Sequence, residues 1–179
     1  MNGNDIIDLS LAKTQSNWQR KGFLEKQFTH KEQKKIHESE NPFEMVWRLW
    51  SMKESAYKIV VQQQQRRFFA PQKFECEIIS ETKGKVIFEN QTFDTETSTT
   101  RKYIYTSINK SEYQKVWKEE NINKEAMFFW IEKTLKMPTA KIKKNAYGVP
   151  NIYNKVRRIS KSCSITHHGN YSGIEFTLT

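Results

Sequence analysis

The sequence predicts an α+β protein in which a long helix packs on an antiparallel sheet, and three observations carry this prediction. The segment from Pro42 to about Gln64 has apolar residues at spacings of three, four and seven, which is the period of a helix face. From Lys73 onward the apolar period changes to two, as in strands with one buried face. Because the helical and the strand-like segments occupy separate stretches of the chain, the pattern favours an α+β fold.

The N-terminal elements are a short strand followed by helices. Residues 5–11 alternate loosely between apolar and polar and predict a strand, and residues 17–28 are expected to be helical in part. Thr29 and Glu32 have the spacing of a capping box, in which each residue satisfies the other's backbone N–H. This pair predicts a helix that runs to about Glu38.

The long helix has a clear start and a shared polar face. Asn41 can cap the helix, and Pro42 is favoured in the first turn. Core packing accounts for its apolar stripe, formed by Val46, Leu49, Trp50, Tyr57 and Val60. Glu54 and Lys58 lie four residues apart and therefore share one face.

The strand-like part of the chain predicts an antiparallel meander and a later helix. Two strands are expected around a turn at residues 83–84, and a third at residues 101–108. An amphipathic helix is predicted at residues 123–137, and two final strands at residues 163–167 and 171–178. The first two strands alternate the apolar residues Phe74, Cys76, Ile78, Val86 and Phe88 with polar ones.

Size and charge limit the classes of function. The 179 residues fit one domain, residues 1–179, and 11 Phe, 7 Tyr and 5 Trp are enough for a sizeable core. The net charge of +10 indicates an anionic partner, which charge alone leaves open among nucleic acid, a phosphate-rich small molecule, an acidic protein and a membrane surface. No RNA-binding or helix-turn-helix signature accompanies the basic residues.

The cysteines and the hydropathy pattern indicate the compartment. Cys76 and Cys163 are far apart and lack metal-ligand spacing, so we expect two free buried thiols in a reducing compartment. The N-terminus shows no basic region followed by an apolar run, and no apolar stretch approaches the roughly 18–20 residues that span a bilayer. The expectation is a soluble cytoplasmic protein without a membrane partner.

Taken singly, the chemistry-bearing residues have ordinary structural explanations. Glu54 and Lys58 suit a surface ion pair, which contributes a few tenths of a kcal/mol to helix stability. Asp5 and Asp8 suit a solvated edge strand, and residues 167–169 suit a loop. A zinc site is not favoured, because no cysteine or histidine has matching spacing.

Three ordered blocks together resemble the 4′-phosphopantetheinyl transferase superfamily. Residues 3–9, G-N-D-I-I-D-L, are similar to its N-terminal Gly-x-Asp block. Residues 50–58, W-S-M-K-E-S-A-Y-K, are similar to its (Trp/Phe)-x-x-Lys-Glu-(Ala/Ser)-x-x-Lys block, which is the most specific of the three. Residues 148–150, G-V-P, and 164–171, S-I-T-H-H-G-N-Y, resemble its C-terminal Gly-x-Pro and Ser-His block, and residues 28–33, F-T-H-K-E-Q, resemble a Phe-Thr-x-x-Glu segment that precedes the helix.

The resemblance implies a reaction and the residues that perform it. Members of the family transfer the 4′-phosphopantetheine arm of coenzyme A to a serine of an acyl or peptidyl carrier protein, with Mg2+, and release adenosine 3′,5′-bisphosphate. Asp5 and Glu54 match the metal-binding positions, and magnesium prefers such oxygen ligands. Glu54 is also the candidate base, and Lys58 would stabilise charge on the leaving bisphosphate. The implied fold is that of the superfamily.

Coenzyme A contacts are implied for five further positions. Lys53 would contact the phosphates as a point charge. Thr166 and His167 would lie near the coenzyme A phosphates, and the turn with Gly148 and Pro150 would lie near the nucleotide.

The sequence departs from the family pattern in three places, of which Arg48, one residue off the position where the synthase type has an arginine, is given no role. Ile7 stands where some members carry a second acid, so the set resembles the smaller, holo-acyl-carrier-protein-synthase type. Asp8 lies on the opposite strand face from Asp5, and whether Asp8 or a water completes the metal shell stays open. Thr166 replaces the more usual serine and keeps a hydroxyl.

The resemblance also bears on partners and rival functions. An acidic carrier protein would be attracted by the positive charge, and Arg20 and Lys21 are expected in its docking face. Both a homotrimer and a monomer remain open, as does the role of residues 90–147. The alternatives are a non-catalytic module that binds coenzyme A or a carrier protein, and a basic nucleic-acid-binding protein.

Overall fold

The N-terminal part of the protein forms a five-stranded antiparallel sheet with a long helix across one face. The computed structural model describes residues 1–108, 112–118 and 124–179, without the side chains of residues 117, 118, 124 and 125. Within these residues the helices are α1 (Leu9–Gln15), α2 (Phe23–Gln27), α3 (His30–His37), α4 (Pro42–Gln64) and α5 (Lys124–Leu135).

The strands of the described residues form three antiparallel sheets, ordered β1-β5-β4-β3-β2, β10-β11-β6 and β7-β8-β9. The strands are β1 (Gly3–Asp8), β2 (Phe74–Ile78), β3 (Lys83–Phe88), β4 (Gln91–Thr99), β5 (Tyr103–Ile108), β6 (Tyr113–Lys118), β7 (Ala140–Lys144), β8 (Pro150–Asn154), β9 (Arg157–Arg158), β10 (Ser160–His168) and β11 (Tyr171–Leu178). The architecture is therefore mixed α+β, with antiparallel sheets, as the sequence predicts.

Local signals in the sequence explain where α3 and α4 begin. The Thr29 hydroxyl accepts the Glu32 N–H at 3.4 Å, and Glu32 Oε2 accepts the Thr29 N–H at 2.7 Å, so the capping box forms. The Asn41 side chain accepts the Glu44 N–H at 3.2 Å and caps α4. Helix α4 ends at Gln64, where Gln65 adopts a left-handed conformation with φ 50°.

A glycine allows β1 to lie directly against α4. A Cβ atom on Gly3 would lie 2.1 Å from the Ser55 carbonyl oxygen, so no larger residue fits there. Side chains alternate along a strand, and Asp5, two residues later, therefore points to the same α4-facing side. Gly3 thus brings the carboxylate of Asp5 to the helix.

The C-terminal strands cover the edge of β1 that β5 leaves free. Side chains of β10, rather than its backbone, accept three N–H groups of β1, so the register between the two strands is set by side-chain type. The three bonds are Asn4 N to Ser164 Oγ at 3.1 Å, Ile6 N to Thr166 Oγ1 at 3.0 Å, and Asp8 N to His168 Nδ1 at 2.9 Å.

The N-terminal part and the C-terminal part of the chain each contain an apolar cluster. The larger one lies between α4 and the five-stranded sheet, and includes Leu49, Met52 and Phe74. The second lies between α5 and the sheet of β10 and β11, and includes Ile131 and Phe176. Cys76 and Cys163 are both buried free thiols, as expected.

The structure corrects two expectations in the N-terminal half and confirms a third. The first strand covers Gly3–Asp8 rather than residues 5–11, because Asp8 caps α1 and ends the strand. Residues 17–28 are helical in part, as expected, over Phe23–Gln27. Lys83 and Gly84 lie at the start of β3 instead of forming the turn.

The sequence does not predict several of the strands, and β4 shows why. Its inward residues alternate as Phe93, Thr95 and Thr97, and two of them are polar. The Thr97 hydroxyl forms a hydrogen bond with that of Thr106 at 3.1 Å, so it is buried without an apolar signal in the sequence. Strands β6 to β9 were also not predicted, and the expected helix start at Asn123 lies outside the described residues. No described helix has both the length and the hydropathy needed to span a membrane.

Candidate active site

A cavity of about 310 Å3 opens between α4, the turn that precedes β8, and β10. The cavity brings the block of residues 50–58 on α4 next to the G-V-P turn, residues 148–150, about 90 positions further along the chain. Its lining includes Glu54, Tyr57, Lys58, Arg67, Lys144 and Gly148. Three of these six residues, Lys58, Arg67 and Lys144, have cationic side chains, so the cavity suits an anionic ligand.

Asp5 and Lys58 form an ion pair beside this cavity. Lys58 Nζ lies 3.1 Å from Asp5 Oδ1 and donates to the Asn4 carbonyl at 2.7 Å. The Thr166 hydroxyl donates to the same Asp5 Oδ1 at 3.0 Å. Asp5 Oδ2 is buried and has no hydrogen-bond partner among the described residues. One oxygen of Asp5 is thus held by the protein, and the other is unsatisfied.

Glu54 has an unusual protonation equilibrium. Its pKa is raised to about 7, first by burial and second by the negative charge of Asp5, while Lys58 opposes the change. The negative charge of Asp5 thus disfavours the charged form of Glu54. A group with a pKa near neutral can accept a proton at working pH.

The donor set fits a hard divalent cation. Two carboxylates that repel each other, one with an unsatisfied buried oxygen, are stabilised when a cation is bound between them. Among residues 1–108, 112–118 and 124–179, no group of three or more acidic, histidine or cysteine side chains is arranged to hold a metal ion. Asp5 and Glu54 would therefore supply two ligands, which is usual for Mg2+ bound together with phosphates and waters.

Asp8 is a structural residue rather than a third acid of this site. Its Oδ1 accepts the N–H groups of Ser10 at 2.9 Å and Leu11 at 3.1 Å, which caps α1. Its Oδ2 accepts the Asn170 N–H at 3.0 Å. Both oxygens are therefore engaged, and the geometry favours a water over Asp8 as a further metal ligand.

Arg67 and Lys144 line the cavity, but the sequence analysis assigned no role to either. Arg67 Nε donates to the Tyr147 carbonyl at 2.6 Å, and a Cβ on Gly148 would lie 1.8 Å from Arg67 Nη2. Gly148 also has φ 79°, and this left-handed conformation is what favours a glycine in the G-V-P turn, since the end of the Arg67 side chain could move away from a Cβ. The basic pairs at residues 66–67 and 143–144 were visible in the sequence, but no spacing linked them to α4.

A comparison with protein-family models places this site in context. The model described as the 4′-phosphopantetheinyl transferase superfamily matches residues 2–116, which is more than half of the chain. The chain belongs to the 4′-phosphopantetheinyl transferase superfamily. The match includes Asp5, Glu54 and Lys58, whereas Gly148 and Thr166 lie beyond it. A comparison with curated proteins gave no match.

Membership in the phosphopantetheinyl transferase superfamily indicates a transferase that uses coenzyme A. The anionic ligand suggested by the cavity agrees with this, because coenzyme A carries a diphosphate and a further phosphate. The roles of individual residues still rest on geometry, and two of the positions implied by the resemblance differ from expectation.

Lys53 is one of these positions, because its ammonium is used inside the protein. Lys53 Nζ forms an ion pair with Glu32 Oε2 at 2.8 Å and donates to the carbonyls of Pro71 at 3.0 Å and Phe74 at 2.6 Å. Its side chain is 2% exposed. The three N–H donors of an ammonium are thus satisfied. Lys53 fixes α4 to α3 and β2, and no donor remains for a phosphate of coenzyme A.

Thr166 is the other position, since its hydroxyl faces Asp5 instead of the cavity. The hydroxyl accepts the Ile6 N–H and donates to Asp5 Oδ1, which uses its only proton. His167, the next residue on β10, is exposed and lies 2.9 Å from the Ser172 hydroxyl. Neither residue is part of the described lining of the 310 Å3 cavity, and the phosphate contact of His167 stays a prediction.

His168 is a supporting residue that the sequence did not single out. Its Nδ1 accepts the Asp8 N–H at 2.9 Å, so the neutral ring carries its proton on Nε2. Burial lowers the pKa of His168, although Asp5 and Asp8 act in the opposite direction. A neutral ring keeps β1 in register with β10.

Proposed function

We propose that this protein, a single domain over residues 1–179, is a Mg2+-dependent 4′-phosphopantetheinyl transferase. It moves the phosphopantetheine arm of coenzyme A to a serine of an acyl or peptidyl carrier protein. The observation that supports this most is the ion pair of Asp5, which has an unsatisfied buried oxygen, with Lys58, a residue that lines a cationic cavity together with Glu54, whose pKa is about 7.

Asp5 and Glu54 are the proposed metal ligands. A Mg2+ ion held by these two residues would neutralise the coenzyme A diphosphate and polarise the phosphorus under attack. Thr166 and Lys58 hold the other oxygen of Asp5, so they orient the carboxylate.

Glu54 is the proposed base. The serine hydroxyl of the carrier protein attacks the β-phosphorus, and its proton passes to Glu54. The bond between the β-phosphorus and the bridging oxygen breaks, and that oxygen leaves with adenosine 3′,5′-bisphosphate. The pKa of Glu54 is about 7 in the metal-free protein, and a cation bound beside it would lower that pKa, so the carboxylate is deprotonated and available as a base near neutral pH.

The cationic side chains of the cavity are proposed to hold the leaving bisphosphate. Lys58 is nearest to Asp5, and two of its three N–H groups are engaged within the protein. Arg67 and Lys144 line the same cavity and add positive charge for the nucleotide phosphates. The turn with Gly148 and Pro150 lies against the same ligand in this proposal.

The decisive test is the mass of an apo carrier protein after incubation with coenzyme A, Mg2+ and this protein. Transfer adds one phosphopantetheine arm to the carrier. We expect the wild-type protein to produce this gain and Glu54→Gln to abolish it, with the variant still folded by circular dichroism. Full transfer by Glu54→Gln would remove Glu54 from the site. Coenzyme A binding by the wild type without any transfer would instead favour the non-catalytic binding module.

A further inference from the structure

A second, smaller cavity meets the first at the proposed base. This slot, as we call it, has a volume of about 100 Å3 and a mainly apolar lining that includes Glu54, Tyr57, Phe68, Phe69, Pro71 and Phe74. Glu54 and Tyr57 line both cavities. The slot also touches Lys53, whose ammonium is turned inward to Glu32. A ligand in the slot therefore meets an apolar surface that ends at Glu54.

The slot presents an exposed aromatic ring on a rigid base. Phe68 packs against Tyr57, Phe74 and Phe88, with ring centroids 5.4, 6.1 and 5.8 Å apart. Phe69, the next residue, is 76% exposed. An exposed aromatic side chain next to a fixed pocket is typical of an anchor that a protein partner covers.

The surroundings of the slot are basic. Arg66 and Arg67 directly precede the two phenylalanines, and Lys73 follows Pro71 by two positions. All three basic residues are exposed. An acidic protein surface with an apolar side chain would complement both the ring and this charge.

The expected direction of attack favours an approach of the acceptor serine from the side of the slot. This step rests on the proposed function. In phosphoryl transfer the attacking and leaving oxygens lie roughly in line on opposite sides of the phosphorus. If the bisphosphate leaves toward Lys58, Arg67 and Lys144 in the larger cavity, the serine approaches the phosphorus from the opposite side, and the slot is a second cavity that also reaches Glu54.

We propose that the slot is a docking site for the carrier protein. An apolar side chain that neighbours the acceptor serine enters the slot, and Phe69 packs against the same acidic partner. The uncharged arm of coenzyme A is the competing occupant. It is a thin chain, however, and would leave most of the Phe69 ring in water, whereas a protein surface covers it.

The test compares Phe69→Ser with Phe129→Ser, a matched control on α5 that is also an exposed phenylalanine, 57% accessible. Steady-state kinetics give separate KM values for an apo carrier protein and for coenzyme A. For Phe69→Ser we expect the carrier KM to rise about tenfold, as for an interface anchor, with kcat and the coenzyme A KM unchanged. Phe129→Ser should change none of these values. Thermal unfolding checks that both variants are folded.

The other outcomes overturn the docking proposal in different ways. A rise in the coenzyme A KM alone would show that the slot holds the pantetheine arm. Unchanged KM values for both substrates would show that nothing in the reaction uses Phe69.

A binding measurement separates this proposal from the proposed function. Calorimetry with a carrier protein whose acceptor serine is replaced by alanine needs no transfer. If the wild type binds this carrier and Phe69→Ser weakens binding while Phe129→Ser does not, the docking site stands even where no transfer occurs. If the wild type does not bind it, or Phe69→Ser binds equally well, the docking site is wrong.

Discussion

The two carboxylate oxygens of Asp5 have different roles at the site. Its Oδ1 is held by Lys58 and Thr166, and its buried Oδ2 has no partner in the described part of the protein. An unsatisfied buried carboxylate oxygen is costly, typically by about 1–3 kcal/mol or more for a charged group. Such a cost persists in a native structure when a ligand offsets it, which is why we assign the oxygen to a cation.

Thr166 is expected to act through Asp5. Thr166→Val removes the donor to Asp5 Oδ1 and leaves the Ile6 N–H unsatisfied, whereas Thr166→Ser keeps both bonds. We expect the valine variant to need several-fold more Mg2+ for half-maximal binding, measured by calorimetry with coenzyme A present. The serine variant should behave like the wild type. Equal Mg2+ titrations for valine and serine would show that the Thr166 hydroxyl does not orient the metal ligand.

Glu54 should also give the metal-free protein a specific dependence of stability on pH. Its pKa is about 7 when folded and about 4.5 when unfolded, so between these values the folded state binds more protons. The favourable contribution is therefore complete below about pH 4.5 and is lost as the pH rises to about 7.

Glu54→Gln removes this dependence, because glutamine does not titrate. From pH 5 to pH 8 in the presence of EDTA, we expect the free energy of unfolding of the variant to gain about 2 kcal/mol relative to the wild type. Urea unfolding at both pH values measures the difference. Parallel pH profiles for the two proteins would mean that Glu54 is not buried near another negative charge in solution.

At the scale of elements, the site depends on how closely β1 lies against α4. Helix α4 presents Lys53 toward α3, Lys58 toward β1 and Glu54 toward the two cavities, so one helix both anchors the fold and carries the proposed chemistry. Gly3 is what permits the close contact of the two elements, through the Ser55 carbonyl.

Gly3→Ala tests this contact. The added methyl group would clash with backbone, so we expect a loss of about 1–3 kcal/mol in stability together with a large loss of transfer activity. Gly22→Ala is the control: its Cβ would meet nothing within 4 Å, although φ is 81°. We expect the control to lose about 1–2 kcal/mol of stability because of its backbone conformation. Its transfer activity should be unchanged. Chemical denaturation and the mass assay report both quantities. Normal activity in a folded Gly3→Ala protein would show that β1 need not touch α4.

At the scale of the molecule, both walls of the large cavity come from one chain. One wall is α4, and the other includes Lys144, Gly148 and Ser164, which lie beyond the family match at residues 2–116. A cavity completed within one chain does not need a neighbouring subunit. Of the two assemblies left open by the sequence, this arrangement favours the monomer.

An active monomer can be recognised by its specific activity on dilution and by its mass in solution. Specific transfer activity should stay constant as the protein is diluted from micromolar to nanomolar concentration, and light scattering should give the mass of one chain, 21.4 kDa. A homotrimer would lose activity on dilution below its dissociation constant. Activity that falls in this way would contradict the completeness of the cavity.

The sequence by itself determined the helix starts at Thr29 and Asn41, the α+β class and the family, since caps, periodicity and ordered motifs are local properties of the chain. Only the tertiary structure decided that Lys53 is buried on Glu32, that Thr166 holds Asp5, and that Arg67 and Lys144 share a cavity with Glu54. A motif specifies residue types at given spacings. Which partner satisfies each donor depends on segments that are far apart in the sequence, 161 positions for Thr166 and Asp5, and that meet only when the chain is packed.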